Sequence, residues 1–283
     1  MDNFIIVEAG STKTDWRYIN GNDQISFQTA GINPVSSDFF PNLSKIEAFN
    51  EIKDRTISSI YYFGAGIINT DYQLVIKNNI YTYINENIRV EVYSDMYGAA
   101  LATAGNDDGI ISILGTGSNS CSYINGELNT TIPALGYILG NEGGGTTISK
   151  KIVQSYFYKQ MPTDVRTQFE AIYGLEKVHF LSALNTTQNA VSYLASFAKF
   201  ISEVDNQEWR KKILKPLLSE FVNLHIKSYS DYSVLDLHFV GSIAYICRDV
   251  LEEVLQSENL EIKSILRRPI DGLVEYYKKK ENG

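Results

Sequence analysis

The 283-residue sequence predicts an α/β protein made of two similar halves, and three observations carry the prediction. Residues 4–16 read F-I-I-V-E-A-G-S-T-K-T-D-W: a short apolar run, one carboxylate, a glycine turn rich in hydroxyls, then a return strand. Residues 109–124 repeat the design as G-I-I-S-I-L-G-T-G-S-N-S-C-S-Y-I. Around both, strand-like runs alternate with helical periodicity, the pattern of sheets covered by helices. The duplication suggests two halves facing each other across a cleft, and the length allows about two domains with a sizeable core in each.

Taken in order, residues 4–7 are β-branched or aromatic and fit a buried strand, and Gly10 permits a tight reversal with backbone N–H groups close to an anion. With the return strand over 14–19, the hydroxyls and amides of Ser11, Thr12 and Lys13 are placed to hold phosphoryl oxygens, and Glu8 at the strand end faces a cation that the phosphates share. A Walker loop would need G-x-x-x-x-G-K-[ST] before a helix, which this is not. Taken alone, the stretch also reads as a hairpin whose glycine serves turn geometry. A third strand over 24–29 leads into Ala30-Gly31-Ile32-Asn33-Pro34 and a helix near 38–51, with Pro34 holding Asn33 extended so that its amide is presented in a defined direction. A strand over 58–63, a helix over 71–84 and a strand over 89–93 follow. The last delivers Ser94-Asp95-Met96-Tyr97-Gly98-Ala99-Ala100 into a helix, where Ser94 or Asp95 serves as N-cap. A carboxylate at such a junction is equally well placed for a general base. Asn106-Asp107-Asp108-Gly109 is a turn cluster that sets the domain boundary, giving 1–107 and 108–283.

The second half opens with the repeated hairpin, whose turn and return strand present Gly115, Thr116, Gly117, Ser118 and Asn119. Asn125-Gly126 is a hairpin dipeptide before a strand over 127–131. Residues 135–145, L-G-Y-I-L-G-N-E-G-G-G, remove side chains where a ligand or neighbouring backbone must come close, and open a helix from about 146, with Glu142 before its free N-terminus. From 149 to 230 the pattern is helical, with core stripes at Val191, Leu194, Phe197 and Ala198 and at Leu214, Leu217, Leu218, Phe221 and Leu224. His179, His225 and His238 are too scattered for a metal motif and read as structural. A strand over 234–240 runs into Gly241-Ser242 and a helix, a last strand covers 260–266, and Pro269 starts a terminal helix.

Composition narrows the classes. A 44% apolar and 20% charged chain of formal net charge −8 is a globular protein with no long basic cluster outside Lys278–Lys280, which argues against nucleic acid and anionic membrane as partners. Two cysteines, Cys121 and Cys247, do not make a disulfide framework. That cysteine usage makes a cytoplasmic location the expectation, and the short apolar run before Glu8 is not read as a signal peptide.

Six segments, in order, resemble the sugar kinase, Hsp70 and actin superfamily, and within it N-acetylglucosamine kinase and the BadF/BadG/BcrA/BcrD ATPase family: both hairpins, the Asn33 turn, S-D-M-Y-G-A-A-L-A from Ser94, L-G-N-E-G-G-G from Leu139 and the Gly241-Ser242 turn. The resemblance implies two ribonuclease-H-like domains of actin-like ATPase type around a nucleotide-binding cleft. The second would carry a helical insertion, with the terminal helix free to pack back on the first. It implies ATP and Mg as cofactors, phosphates on the two hairpins and adenosine at Gly241 and Ser242. A sugar hydroxyl would bind Asn33, with Ser118, Asn119, Asn141 and Glu142 as further substrate contacts. Asp95 would be the general base of phosphoryl transfer to an amino sugar such as N-acetylglucosamine. Small-molecule sugar is the implied partner, and a homodimer is open. The chain departs from the family in having Glu8 and Asn141 where aspartate is usual. Three alternatives stand beside this reading: a silent sugar or nucleotide sensor, a dehydratase-activator ATPase with an iron–sulfur cluster, and a dinucleotide oxidoreductase built on Gly115-x-Gly117.

Overall fold

The computed structural model describes residues 3–10, 12–32, 47–52, 55–67, 69–84, 87–186 and 190–282. The chain divides into two compact units, Met1–Asn106 with Arg268–Gly283, and Asp107–Arg267. Asn33 and Ser11 lie outside the described residues, as does most of the helix expected near 38–51.

In the first unit, β1 (Phe4–Ala9), β2 (Lys13–Asn20) and β3 (Asp23–Ala30) form an antiparallel meander, followed by α1 (Glu47–Ile52), β4 (Ser59–Gly64), α2 (Thr70–Tyr83), β5 (Arg89–Ser94) and α3 (Asp95–Thr103). The strand order is β3-β2-β1-β4-β5, with β4 parallel to both β1 and β5. Because successive side chains point to opposite faces, the apolar run of β1 feeds two cores. Ile5 and Val7 pack with Trp16, Tyr62 and Ile80, while Phe4 and Ile6 pack with Tyr61, Phe63, Leu273 and Tyr277. The second core needs the terminal helix (Pro269–Asn282), whose Ile270, Leu273, Val274 and Tyr277 recur at three- and four-residue spacing and are all buried. Tyr277 stacks on Tyr61 with ring centres 3.9 Å apart and lies 6.4 Å from Phe4 and 6.1 Å from Phe63. The terminal helix, within the range 108–283 expected for the second domain, therefore belongs to the first unit.

In the second unit, β6 (Gly109–Leu114), β7 (Ser118–Ile124) and β8 (Glu127–Asn129) form the second meander, and Asn125 and Gly126 turn between the last two with φ of 50° and 82°. Helices follow as α4 (Gly136–Leu139), α5 (Gly145–Phe157), α6 (Thr163–Tyr173), α7 (Lys177–Thr186), α8 (Ala190–Ser196), α9 (Phe200–Glu203) and α10 (Gln207–Phe221). The unit closes with β9 (Asp236–Val240), α11 (Ser242–Ile246), α12 (Arg248–Ser257) and β10 (Ile262–Leu266). Its strand order, β8-β7-β6-β9-β10, and its parallel and antiparallel pairings repeat those of the first sheet. The two hairpins seen in the sequence are thus the same part of two copies of one sheet.

After α10 the chain makes a π turn, Val222–Ile226, closed by the Lys227 amide donating to the Val222 carbonyl at 3.0 Å. The extra residue in this turn rotates the buried face. Leu224, expected in the core stripe, is exposed; His225, four residues after the buried Phe221, is buried, as is Ile226. Among the described residues no helix is long and apolar enough to cross a membrane.

Candidate functional site

The first glycine turn forms as the sequence predicts: the Gly10 amide donates to the Lys13 carbonyl at 2.9 Å, and a Cβ at Gly10 would press on that oxygen at 3.2 Å. The turn's register sets Glu8 directly opposite Asp15 on β2, a like-charge cross-strand pair. Asp15 is buried and held by Lys13, whose ammonium lies 3.0 Å away, and by the Gln28 side-chain amide, which donates at 2.6 Å. Lys13, expected at phosphoryl oxygens, is here paired with Asp15, its side chain 51% exposed. Burial pushes the Glu8 carboxyl up to about 8, and the charges of Asp15 and Asp95 add to it against Lys13.

Asp95 opens α3 at the end of β5, but it is not the cap. Ser94 is, its hydroxyl oxygen accepting from the Tyr97 amide at 3.2 Å. Asp95 uses Oδ1 to accept from the Met96 amide at 2.9 Å, so its carboxyl is not consumed in ending the helix. Burial raises its proton affinity, against the lowering effect of that amide. The first unit therefore presents three carboxylates in one field with a single lysine close by. Such a donor set suits a hard divalent cation, which would relieve the repulsion. Among the described residues no group of three or more His, Cys, Asp and Glu side chains is arranged to hold a metal by itself.

The second turn is built into a larger cradle. The Gly115 amide donates to the Gly117 carbonyl at 2.9 Å. The first amides of α5, at Gly145 and Thr146, donate to the carbonyls of Gly115 and Thr116 at 2.8 and 3.0 Å. The α5 N-terminus, expected to be free, is stitched to the turn. Asn141, at φ 68°, completes the stitch: its Oδ1 accepts from the Ser118 amide at 3.4 Å and its Nδ2 donates to the Thr146 hydroxyl at 3.0 Å. Glycine is required where these backbones meet, since a Cβ at Gly144 would lie 2.7 Å from the Gly117 carbonyl carbon, and one at Gly241 (φ 118°) 2.3 Å from the Leu114 oxygen. A Cβ at Gly115 would meet nothing within 4 Å, so the turn's outer side is open. Ser118 is buried with its hydroxyl unpartnered among the described residues, whereas the side-chain Oδ1 of Asn119 accepts from the Ser120 amide at 2.9 Å. Ser242 is exposed in the first turn of α11.

The structure thus brings Glu8, Gly10, Thr12, Lys13 and Asp95 together at one end of the first sheet, and Gly115, Thr116, Gly117, Ser118, Asn141, Glu142 and Gly241 at the matching end of the second. Two groups were missed from sequence. Asp15 was legible in the hairpin register, which pairs it with Glu8. His225, 3.0 Å from Glu142 through Nε2, follows the buried Leu218 and Phe221 at helical spacing, so its burial was legible but its partner in the glycine loop was not. Gly115-x-Gly117 leads into β7 rather than a helix, unlike a dinucleotide fingerprint. Cys121 and Cys247 are both buried and free.

The whole chain matches several solved structures. One, from Porphyromonas gingivalis and named a putative N-acetylglucosamine kinase, is 31% identical, with 98% of this chain and 99% of that chain covered and a TM-score of 0.90. A second putative N-acetylglucosamine kinase, from Chromobacterium violaceum, is 15% identical over 98% and 99% of the two chains, with a TM-score of 0.72. A ROK-family glucokinase from Streptomyces griseus, in complex with glucose and AMPPNP, is 14% identical over 99% and 100%, with a TM-score of 0.58. The latter two show a shared fold. No protein-family model matches the chain, and no curated protein sequence matches it.

Proposed function

Since this chain belongs to the family of the Porphyromonas gingivalis protein and has the two-domain α/β fold of the sugar kinases, we propose that it is an ATP-dependent kinase that phosphorylates a hydroxyl of an amino sugar such as N-acetylglucosamine. The observation that carries the reading is Asp95: a carboxylate at a strand-to-helix junction whose capping duty has been taken over by Ser94. Within the sugar kinases, the six-segment resemblance supports the N-acetylglucosamine kinase branch of the BadF/BadG/BcrA/BcrD family.

In this reading Asp95 accepts the proton of the attacking sugar hydroxyl. Its burial brings its proton affinity nearer to that of a base working at neutral pH. Each glycine turn, within its own unit, offers backbone N–H groups and hydroxyls to phosphoryl oxygens, the unpartnered Ser118 hydroxyl of the second turn among them. Glu8 is the residue that would hold Mg, through water, and Mg would supply neutralisation of charge on the phosphoryl oxygens. Glu142 and Asn33 orient the sugar, and Gly241 and Ser242 receive the adenosine. Positioning and charge compensation supply most of the acceleration in such a transfer.

A second reading, a sensor of sugar or nucleotide without turnover, is favoured by Asn141, whose amide is committed to Ser118 and Thr146 rather than left for a ligand. A phosphoryl-transfer screen with ATP-Mg over amino sugars, including N-acetylglucosamine and N-acetylmuramic acid, tests the kinase reading. Product formation supports it. Calorimetric sugar binding with no product selects the sensor.

A further inference from the structure

The Glu142 carboxylate is held from behind. His225 Nε2 lies 3.0 Å from its Oε2, and the histidine side chain is only 3% exposed while that of Glu142 is 22% exposed. The imidazole lies flat on Phe221, with ring centres 4.9 Å apart and planes 16° apart. Phe221 in turn packs under the glycine loop, where a Cβ at Gly143 would come within 3.0 Å of it. The backbone of the same histidine ties in the second hairpin, its carbonyl accepting from the Ser120 hydroxyl at 3.0 Å, beside the Tyr229 hydroxyl at 3.1 Å. One residue therefore links the loop that carries Glu142, the strand that follows the second turn, and α10.

A histidine kept only for packing would be expected to satisfy both ring nitrogens. Here Nδ1 is buried with no partner among the described residues, a cost that calls for a compensating use of Nε2. The placement is also specific. His225 continues the buried stripe of Leu214, Leu218 and Phe221 at helical spacing, while the π turn leaves Leu224 exposed and Ile226 buried. Single π turns of this kind concentrate at functional sites.

We propose that His225 is a positioning residue: it donates from Nε2 to one oxygen of Glu142 and so fixes the other oxygen as acceptor for a hydroxyl of the amino sugar. The inference rests on the kinase reading above, which assigns Glu142 to the sugar. A carboxylate has acceptor capacity for both partners at once.

The test uses His225→Leu, His225→Gln, Glu142→Gln and the His225→Leu/Glu142→Gln double variant of the full chain, with N-acetylglucosamine as probe in both calorimetry and turnover. His225→Leu should weaken sugar affinity about 10-fold or more, the usual effect of losing a hydrogen bond to a charged group, and leave the ATP KM unchanged. His225→Gln, which keeps a donor, should recover part of the loss, and the double variant should be no worse than Glu142→Gln alone. Unchanged sugar affinity, equal weakening of ATP and sugar, or additive losses would overturn the assignment. If His225→Leu does not fold, the imidazole nitrogen resonances of the wild-type protein decide. With three histidines in the chain, saturation with sugar must move that of His225, and an unmoved resonance overturns the proposal. If the wild type binds sugar but forms no product, the kinase reading falls while the affinities still judge His225. If it binds no amino sugar, both fall.

Discussion

Replacing Glu8 by glutamine should remove a pH dependence of stability that the wild-type protein carries. Burial, with Asp15 opposite and Asp95 nearby, lifts the Glu8 carboxyl from an ordinary 4.5 to about 8. The folded state then holds this proton where the unfolded chain has already released it, so the native state binds more protons between those two values. The contribution of Glu8 to stability must fall as pH rises from about 4.5 to about 8 and level off above. At about 1.36 kcal/mol per pH unit the interval is worth at most about 5 kcal/mol, and relaxation around Lys13 and Asp15 will reduce it. Glutamine cannot ionise, so Glu8→Gln should match the wild type near pH 5 and exceed it by up to a few kcal/mol near pH 9. Urea titrations of both proteins across that range, at fixed ionic strength and without divalent cation, measure the difference. Adding ATP-Mg should narrow the gap at pH 9, because a cation shared with the phosphates relieves the same repulsion. Parallel curves for the two proteins from pH 5 to pH 9 would refute the electrostatic account of this site.

Three further perturbations probe separate parts. Asp95→Asn keeps an Oδ1 for the Met96 amide and leaves the Ser94 cap intact, so melting should change little while kcat falls by about a hundredfold to ten-thousandfold; near wild-type turnover removes Asp95 from the mechanism. Gly115→Ala places a methyl in open space, so the fold should be unaffected and ATP affinity reduced, and equal nucleotide affinity in calorimetry would exclude this turn from phosphate binding. Tyr277→Ala deletes a buried ring stacked on Tyr61 and should cost the first unit about 3–5 kcal/mol in denaturant titrations, whereas a loss under about 1 kcal/mol would show that the terminal helix does not complete that core.

The strands were legible because their signals are local. The apolar runs at Phe4 and Gly109, the glycine turns and Asn125-Gly126 each specify a hairpin within a dozen or so residues, and all three hairpins form. The repetition of the whole sheet, beyond its hairpin, is shown by the matching strand orders. The helices between β8 and β9 were legible as amphipathic stripes until the stripe changed phase. The π turn leaves Leu224 exposed, while His225, at helical spacing from the buried Phe221, meets Glu142 on a loop that the local pattern does not reveal.

By itself, then, the sequence determined an α/β chain with two matching hairpins, a carboxylate poised before a helix, and glycines where backbones converge. These features are set by side-chain period, turn chemistry and steric freedom, which act over a few residues. Tertiary structure alone decided which carboxylates share a field, that Ser94 rather than Asp95 caps α3, that Asn141 and the α5 amides close the second turn, and that the terminal helix completes the first core. Each depends on groups distant in sequence meeting at hydrogen-bond or van der Waals range, where burial magnifies charge and a missing Cβ admits a neighbour's backbone.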